Sequence, residues 1–351
     1  MSVAVIGAGI AGLYTTSLIR NHDVRIFELK SKIGLVEKCT GLISLETLKR
    51  IEVPKDMIDG IYRRILLITG RRAIEFYNNR PIAVRITRAR HEEYLSKQII
   101  DKGHKILTKT QALSVSSNGI LTIKRNGVIR KEKYQYIIIA SGWNPNLPRI
   151  TGLHHVKEVL YGIQMFAKPK AHSLYDTIIV LHGFLPDGWA WIVPTIKGYL
   201  VGVASKNKPL TILSMLISKL QRKNIIEKII SKPFGGVIVR GYPIKLVRER
   251  IVGIGDAVSM TKSFTCGGLY PISIAGKILA RAIDKDNLII YEREIAKLKN
   301  TIKSQYIATK TLLQGNKIIL RTIATILSSK RVKITAYDYD NHFTALLKAL
   351  H

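Results

Sequence analysis

The chain has 351 residues, long enough for two or three domains of roughly 150 residues each. Hydrophobic residues make up 46% and charged residues 23%, which excludes a mainly disordered chain because enough apolar surface is present to offset chain entropy. Lys and Arg number 56 against 24 Asp and Glu, and the net charge of +32 attracts polyanions such as nucleic acid or an anionic membrane surface. Two cysteines exclude a disulfide scaffold and suggest a reducing, cytoplasmic setting.

The N-terminus lacks a basic region and a cleavage site, so residues 1–13 read as a strand and tight turn and not as a signal peptide. No apolar run approaches the ~18 residues of a spanning helix. A strand at 3–7, a helix at 10–20 and a strand at 24–28 form a mononucleotide-binding unit. A helix follows at 88–102. Residues 106–129 then alternate around Asn118-Gly119 and Asn126-Gly127, which are hairpin signals, and 136–140 is an apolar strand. From 147 to 240 longer strands such as 177–181 and 199–204 surround one helix at about 212–230. A strand at 251–254, a helix at 268–283 and a basic helical region at 291–351 complete the chain.

Gly7-Ala8-Gly9-Ile10-Ala11-Gly12 fits G-x-G-x-x-G directly after a strand. Gly7 allows the tight turn, Gly9 lets the backbone approach a pyrophosphate, and Gly12 lets helix and strand pack closely. Glu28, 21 residues after Gly7, is placed to accept ribose hydroxyls and to repel a 2′-phosphate. Far downstream, Gly255-Asp256 ends a buried strand ahead of Cys266-Gly267-Gly268-Leu269 and a helix, an arrangement that suits a ribitol hydroxyl and a flavin carbonyl or phosphate. Two nucleotide-contacting motifs so far apart favour a long cofactor, FAD, over NAD. Because they occupy both ends of the chain, the second domain is inserted into the first.

With these motifs the sequence resembles the FAD-dependent geranylgeranyl reductase family, a branch of the aromatic-hydroxylase-like flavoproteins. Four segments carry the resemblance: the dinucleotide motif with Glu28; Cys39-Thr40-Gly41-Leu42-Ile43-Ser44, similar to the C-x-G-L-x-S loop of archaeal members; Trp189-Ala190-Trp191-Ile192-Val193-Pro194, similar to a Y-x-W-x-F-P box; and Gly255-Asp256 with Gly267-Gly268-Leu269-Tyr270-Pro271. The box is followed at the family's spacing by Gly202-Val203-Ala204. Trp189 and Val193 replace the box's Tyr and Phe, and Ala140-Ser141-Gly142 replaces an acidic-glycine pair.

The resemblance implies an α/β (α+β) fold: a Rossmann-type FAD-binding domain (1–60, 83–145, 241–285), an inserted antiparallel-sheet domain for a prenyl lipid (61–82, 146–240), and a C-terminal basic helical region (286–351). It implies cofactor contacts at Gly7, Gly9, Ala11, Gly12, Glu28, Cys39, Thr40, Gly41, Arg88, Ala112, Gly255, Asp256, Gly267, Gly268 and Leu269. Substrate contacts are implied at Trp189, Trp191, Pro194 and Tyr270, with Cys39 and Trp191 as catalytic candidates. Cys39 fits a pocket wall, a proton relay or a redox gate, and an inert buried thiol is the plain alternative. Both tryptophans also fit ordinary core packing.

The implied reaction is saturation of geranylgeranyl double bonds, on archaeal ether-lipid precursors such as digeranylgeranylglycerophospholipid, with an electron donor the residues do not name. An isolated trisubstituted alkene must be protonated as hydride arrives, so the site needs a proton source and faces that tolerate cationic character, which Trp faces supply at roughly 0.5–2 kcal/mol each. Lys303, Lys310 and Lys317 beside Leu312, Leu313, Ile319 and Leu320 read as a basic amphipathic helix, suited to peripheral attachment at an anionic membrane or to packing between domains. The rivals are another oxidoreductase or monooxygenase of the same fold and a flavin-dependent RNA-modifying enzyme; no RNA-binding module is present. No metal-ligand spacing occurs among the His, Cys and acidic residues. The two cysteines fall in separate flavin-lining motifs, and a disulfide between them requires Cα atoms within ~7 Å.

Overall fold

The structure, a computed structural model, describes residues 2–35, 37–154, 156–170, 174–182, 188–311, 325 and 330–350. The chain forms two compact units, each assembled from three segments. The first comprises Met1–Val36, Arg88–Glu158 and Val239–Tyr306, and the second Glu37–Thr87, Val159–Ile238 and Ile307–His351.

The first unit is built on a six-stranded sheet, in the order Val247–Arg248, Ile251–Gly253, Tyr136–Ile139, Ser2–Ile6, Asp23–Phe27 and Lys105–Leu107. All pairings are parallel except that of Val247–Arg248 with Ile251–Gly253. Parallel strands are covered on both faces, which explains runs such as Val3-Ala4-Val5 and Ile137-Ile138-Ile139 that are wholly inaccessible. The helix Ile10–Leu18 is buried along almost its whole length and packs on Leu269–Asp284 and Arg88–Asp101. A three-stranded antiparallel sheet, Thr110–Val115, Ile120–Arg125 and Val128–Lys133, projects from this core. Asn126 (φ 49°) and Gly127 (φ 81°) supply the two positive dihedrals of its two-residue hairpin.

The second unit holds a nine-stranded sheet. Its centre is antiparallel: Val156–Pro169, Gly198–Ser205, Trp189–Thr195 and Thr177–His182 lie side by side. Two parallel pairings extend it, Thr177–His182 with Arg64–Thr69 and Arg331–Lys333 with Arg72–Tyr77. Alternation divides Trp189–Thr195 between two cores. Ala190 and Ile192 meet the helix Pro209–Arg222 through Leu213, Leu216, Ile217 and Leu220. Trp191 and Val193 face the opposite cluster, with Tyr62, Ile82, Leu200, Val332 and Ile334. A small sheet of Leu42–Ser44, Ala83–Ile86 and Ile58–Tyr62 belongs to the same unit.

Three readings of the sequence need correction. The helix expected at 212–230 ends at Arg222; Asn224 (φ 56°) turns the chain left-handed, and Ile226–Ile229 pairs as a strand with Val156–Pro169. The C-terminal region is not wholly helical: Arg331–Lys333 is a sheet strand whose Val332 joins the apolar cluster. Residues 286–351 are also not one body, since they divide between the units at 306/307. The units further place 37–60 and 83–87 with the second sheet and 146–158 with the first. Of the amphipathic helix, Ala296–Thr309 is helical, whereas residues 312–320, including Lys317, lie outside the described residues. Among the described residues no helix is long and apolar enough to cross a membrane.

Candidate functional site

In the first unit the strand Ser2–Ile6 delivers Gly7 at φ 106°, and Gly7 N–H donates to Phe27 O at 2.9 Å. The three glycines of the motif differ in what demands them. A Cβ on Gly7 would stand 2.5 Å from Ala140 O, and one on Gly12 2.1 Å from Gly7 O; both are excluded by the protein's own backbone. A Cβ on Gly9 meets nothing within 4 Å. The chain therefore does not need glycine there for its own packing, and the backbone at the N-terminus of Ile10–Leu18 is open enough to admit a phosphate group. Glu28 is held from two sides, accepting Ala8 N–H at 2.8 Å and Lys30 N–H at 2.9 Å, which fixes its carboxylate beside that loop.

The downstream motif comes to the same place. Gly255 (φ 70°) would bring a Cβ to 2.9 Å from Ala11 Cβ, and a Cβ on Gly268 would lie 3.3 Å from Asp256 Oδ1. Asp256 is half-buried; its main-chain carbonyl accepts Ser259 N–H at 3.1 Å, while among the described residues its carboxylate accepts no hydrogen bond. Burial pushes its carboxyl above the usual range, and the Arg88 guanidinium opposes that shift. Arg88 opens the helix Arg88–Asp101 and pairs with Glu92 at 2.8 Å. Gly267 and Gly268 lead into the buried Leu269, and Tyr270 is half-buried with the Lys262 ammonium 5.8 Å from its ring centre. Ala112 is half-buried on the strand Thr110–Val115, whose Thr110 N–H donates to Glu28 O at 2.9 Å.

A phosphate-facing backbone that no side chain fills and a desolvated carboxylate without a donor fit a ligand with phosphates and hydroxyls. The residues fit FAD. Its pyrophosphate would lie against Gly9, and hydroxyls of its sugar and ribitol would be received by Glu28 and Asp256.

The second unit contains Cys39, Thr40 and Gly41. Gly41 (φ 79°) crosses Ile86 so closely that a Cβ would stand 2.1 Å from Ile86 O, and its N–H donates to Cys39 Sγ at 3.4 Å. Trp191 is 8% exposed and Trp189 half-buried on the same face. Pro194, buried at the end of that strand, accepts the Tyr62 hydroxyl through its carbonyl. Thus the structure places Cys39, Thr40, Gly41, Trp189, Trp191 and Pro194 in one unit, and the glycine loop, Glu28, Arg88, Ala112, Asp256 and residues 267–270 in the other.

Several residues around the tryptophans escape a reading by motif. Gln164, 1% exposed, accepts Trp191 Nε1–H and the Thr40 hydroxyl through one oxygen, each at 3.2 Å. Arg85, 2% exposed, donates Nε–H to Thr40 O at 2.9 Å, pairs with the buried Asp59 carboxylate, and lies 5.7 Å from the Phe166 ring centre. Burial pushes Asp59 up, against the pull of Arg85 and Lys197, and its Oδ1 has no partner among the described residues. From the C-terminal segment, buried Asp340 accepts the hydroxyls of Ser44 and Thr47. Burial raises the Tyr339 phenol strongly, with Asp340, Tyr62 and Cys39 within electrostatic reach. The available signals were faint: one Gln within the strand Val156–Pro169, and four acidic or phenolic residues in succession, Tyr337 to Asp340, inside a basic tail.

Of the two readings of the cysteines, bridged or separate, the structure has the second: both are free thiols. Cys266 (φ 55°) accepts Arg240 Nε–H at 3.4 Å, and burial raises its thiol despite that cation. Among the described residues no cluster of His, Cys, Asp and Glu could hold a metal ion.

Comparison with known proteins places this geometry. The family described as pyridine nucleotide-disulphide oxidoreductase matches residues 1–180. Digeranylgeranylglycerophospholipid reductase 3 of Methanosphaera stadtmanae is 24% identical over 314 residues, 81% of this chain and 78% of its own. A geranylgeranyl bacteriochlorophyll reductase-like structure from Thermoplasma acidophilum superposes with a TM-score of 0.83 at 17% identity, covering 99% of this chain and 95% of its own. A flavin-dependent brominase shares the fold at a TM-score of 0.74 and 14% identity, covering 99% and 94%. The reductase resemblance read from the motifs is thus matched by relatives of that name. The chain belongs to the pyridine nucleotide-disulphide oxidoreductase family and is an FAD-dependent oxidoreductase.

Proposed function

We propose that the protein saturates double bonds of geranylgeranyl chains, with an archaeal ether-lipid precursor of the digeranylgeranylglycerophospholipid type as substrate. The observation that carries this reading is the Trp191 indole, held by a buried hydrogen bond within an apolar cluster that also contains Trp189, Tyr62 and Phe166. A polyprenyl chain offers almost no polar group to recognise, so an apolar wall is what selects it. Bound FAD, once reduced, supplies hydride. The chain's own residues then have two tasks.

The first is to exclude water and stabilise positive charge on the tertiary alkene carbon. The faces of Trp189 and Trp191 do this, at roughly 0.5–2 kcal/mol each in a desolvated setting. The second is to deliver a proton. Cys39 is the candidate from its loop, with the Tyr339 phenol within electrostatic reach of it. Burial raises that phenol, so it stays protonated and cannot serve as a base. The net charge of +32 supports attachment to an anionic membrane, where the lipid resides.

The test is to incubate chemically reduced holoprotein with geranylgeranylated glycerophospholipid and to follow the lipid by mass spectrometry. Two hydrogens should be gained per double bond reduced. An unchanged lipid, together with oxygenation or halogenation of an aromatic probe under air, would replace the reading with an activity of the same-fold flavoenzymes.

A further inference from the structure

Gln164, Gly202 and Trp191 are direct neighbours on three adjacent strands: Gln164 pairs with Gly202, and Gly202 with Trp191. All three positions face the same side of the sheet. The outer two are two strand spacings apart, about 10 Å, so their side chains meet only if nothing stands between them. Gly202 provides that gap. A Cβ there would lie 2.3 Å from Trp191 Cε2, inside the indole. The ring therefore lies across the glycine, and its N–H reaches Gln164 Oε1 at 3.2 Å. An indole N–H can only donate, which fixes the amide with its oxygen toward Trp191. The same oxygen accepts the Thr40 hydroxyl at 3.2 Å, using its second lone pair.

Thr40 is the middle residue of the Cys39-Thr40-Gly41 loop, and Arg85 holds its carbonyl from the other side. We infer that Gln164 is a positioning residue that locks this loop to the Trp191 indole, and that this lock sets where along its length a polyprenyl chain presents a double bond for reduction. The inference rests on the reductase reading for its substrate. The lock itself is a matter of hydrogen bonds within one unit of the protein. Both donors lose their partner together if the acceptor is removed. Misplacement of a bound alkene by about 1 Å is enough to cost on the order of 100-fold in rate while apolar contact with the rest of the chain persists.

The test compares Gln164→Leu, which keeps the volume and removes the acceptor, with Gln164→Glu, which keeps an oxygen there. Both are made as holoprotein and assayed with geranylgeranylated glycerophospholipid. For Gln164→Leu, kcat should fall about 10- to 100-fold with KM within about 3-fold, and partially saturated lipids should accumulate. Gln164→Glu should stay within about 3-fold of wild-type kcat. Equal losses in the two variants, or a KM that rises as far as kcat falls, would overturn the role.

If Gln164→Leu fails to fold, Thr40→Val and Trp191→Phe remove the two donors one at a time. The double variant should then be no slower than the worse single one, and multiplying losses would overturn the lock. The ultraviolet resonance Raman band of the indole N–H provides a separate readout. It should shift in Gln164→Leu, where the indole loses its acceptor, and hold in Gln164→Glu and Thr40→Val, where an oxygen remains, whatever the substrate proves to be. A wild-type protein inert toward every prenyl lipid would sink the reductase reading alone; an unmoved band would sink the lock alone.

Discussion

The glycine loop and the tryptophan cluster solve the same problem, holding a group in place, by opposite means. The loop uses backbone: its main chain stays open at Gly9, and the Glu28 carboxylate beside it is pinned by backbone donors. The cluster uses side chains brought from residues 40, 62, 85, 164 and 191, fixed by sheet register and one buried ion pair. A backbone site tolerates little change within a short span. A side-chain site distributes the constraint, so its parts admit conservative replacement where the chemistry is retained.

The largest contrast lies within the loop itself. Gly12→Val drives a side chain into Gly7 O and should yield no folded protein, whereas Gly9→Val should melt near wild type yet remain colourless after incubation with FAD. A Gly9→Val protein that retains flavin would break the division between glycines the fold needs and the glycine the ligand needs. Asp256→Ala should likewise fold and lose flavin. Because burial raises the Asp256 carboxyl in the free protein, while hydroxyl donors favour its ionised form, flavin affinity should fall with acidification, beginning above the ordinary Asp value of about 4. Flavin release titrated against pH checks the sign; a pH-independent affinity in that window refutes it.

Next come the members of the cluster. Arg85→Met leaves the Asp59 carboxylate buried without its cation and should cost about 3–5 kcal/mol in urea unfolding, and adding Asp59→Leu should restore much of that. Trp191→Ala should cost a similar ~3–5 kcal/mol through the cavity it leaves, and should abolish turnover while flavin is retained. Trp191→Phe should keep part of the activity through its remaining aromatic face. Between the two thiols, Cys39→Ser should slow turnover more than Cys266→Ser, because Cys266 is engaged by Arg240 in the first unit.

The smallest effect concerns the C-terminal segment. Burial opposes ionisation of Asp338, but hydrogen bonds from Lys348, Thr344 and Thr335 outweigh it and lower the carboxyl to about 2. The folded value lies below the unfolded one. The stabilisation is therefore complete above about pH 4 and is lost as pH falls toward 2. Asp338→Asn should remove on the order of 1–2 kcal/mol at neutral pH and much less at pH 2, measured by thermal melts at both values.

What could be read from the sequence follows the same division. The βαβ unit, Glu28, the Asn126-Gly127 hairpin and the apolar parallel strands were legible because each depends on residues within a few positions of one another. Gly202 was visible at the expected spacing, but its reason was not: it makes room for the indole of Trp191, its direct partner on the neighbouring strand. Gln164 carried no local signal, since its partners lie 27 and 124 residues away. The helix expected at 212–230 was overextended because Ile225, Ile226 and Ile229 suit either periodicity, and only pairing with Val156–Pro169 decides between them. Strand Arg331–Lys333 was missed for the same reason, as three residues have no period.

That last strand has a consequence for biosynthesis. Arg331–Lys333 pairs with Arg72–Tyr77, and the segment after it supplies Asp340 to Ser44 and Thr47. At translation speeds of about 5–20 residues per second, Arg72–Tyr77 waits roughly 10–50 s for its neighbour to be made. Throughout that interval its outer edge and the apolar cluster beneath it stand open on the nascent polypeptide. Holding the ribosome at residue 325 should therefore leave this sheet sensitive to protease and open to chaperone capture, a vulnerability that ends once the final strand docks.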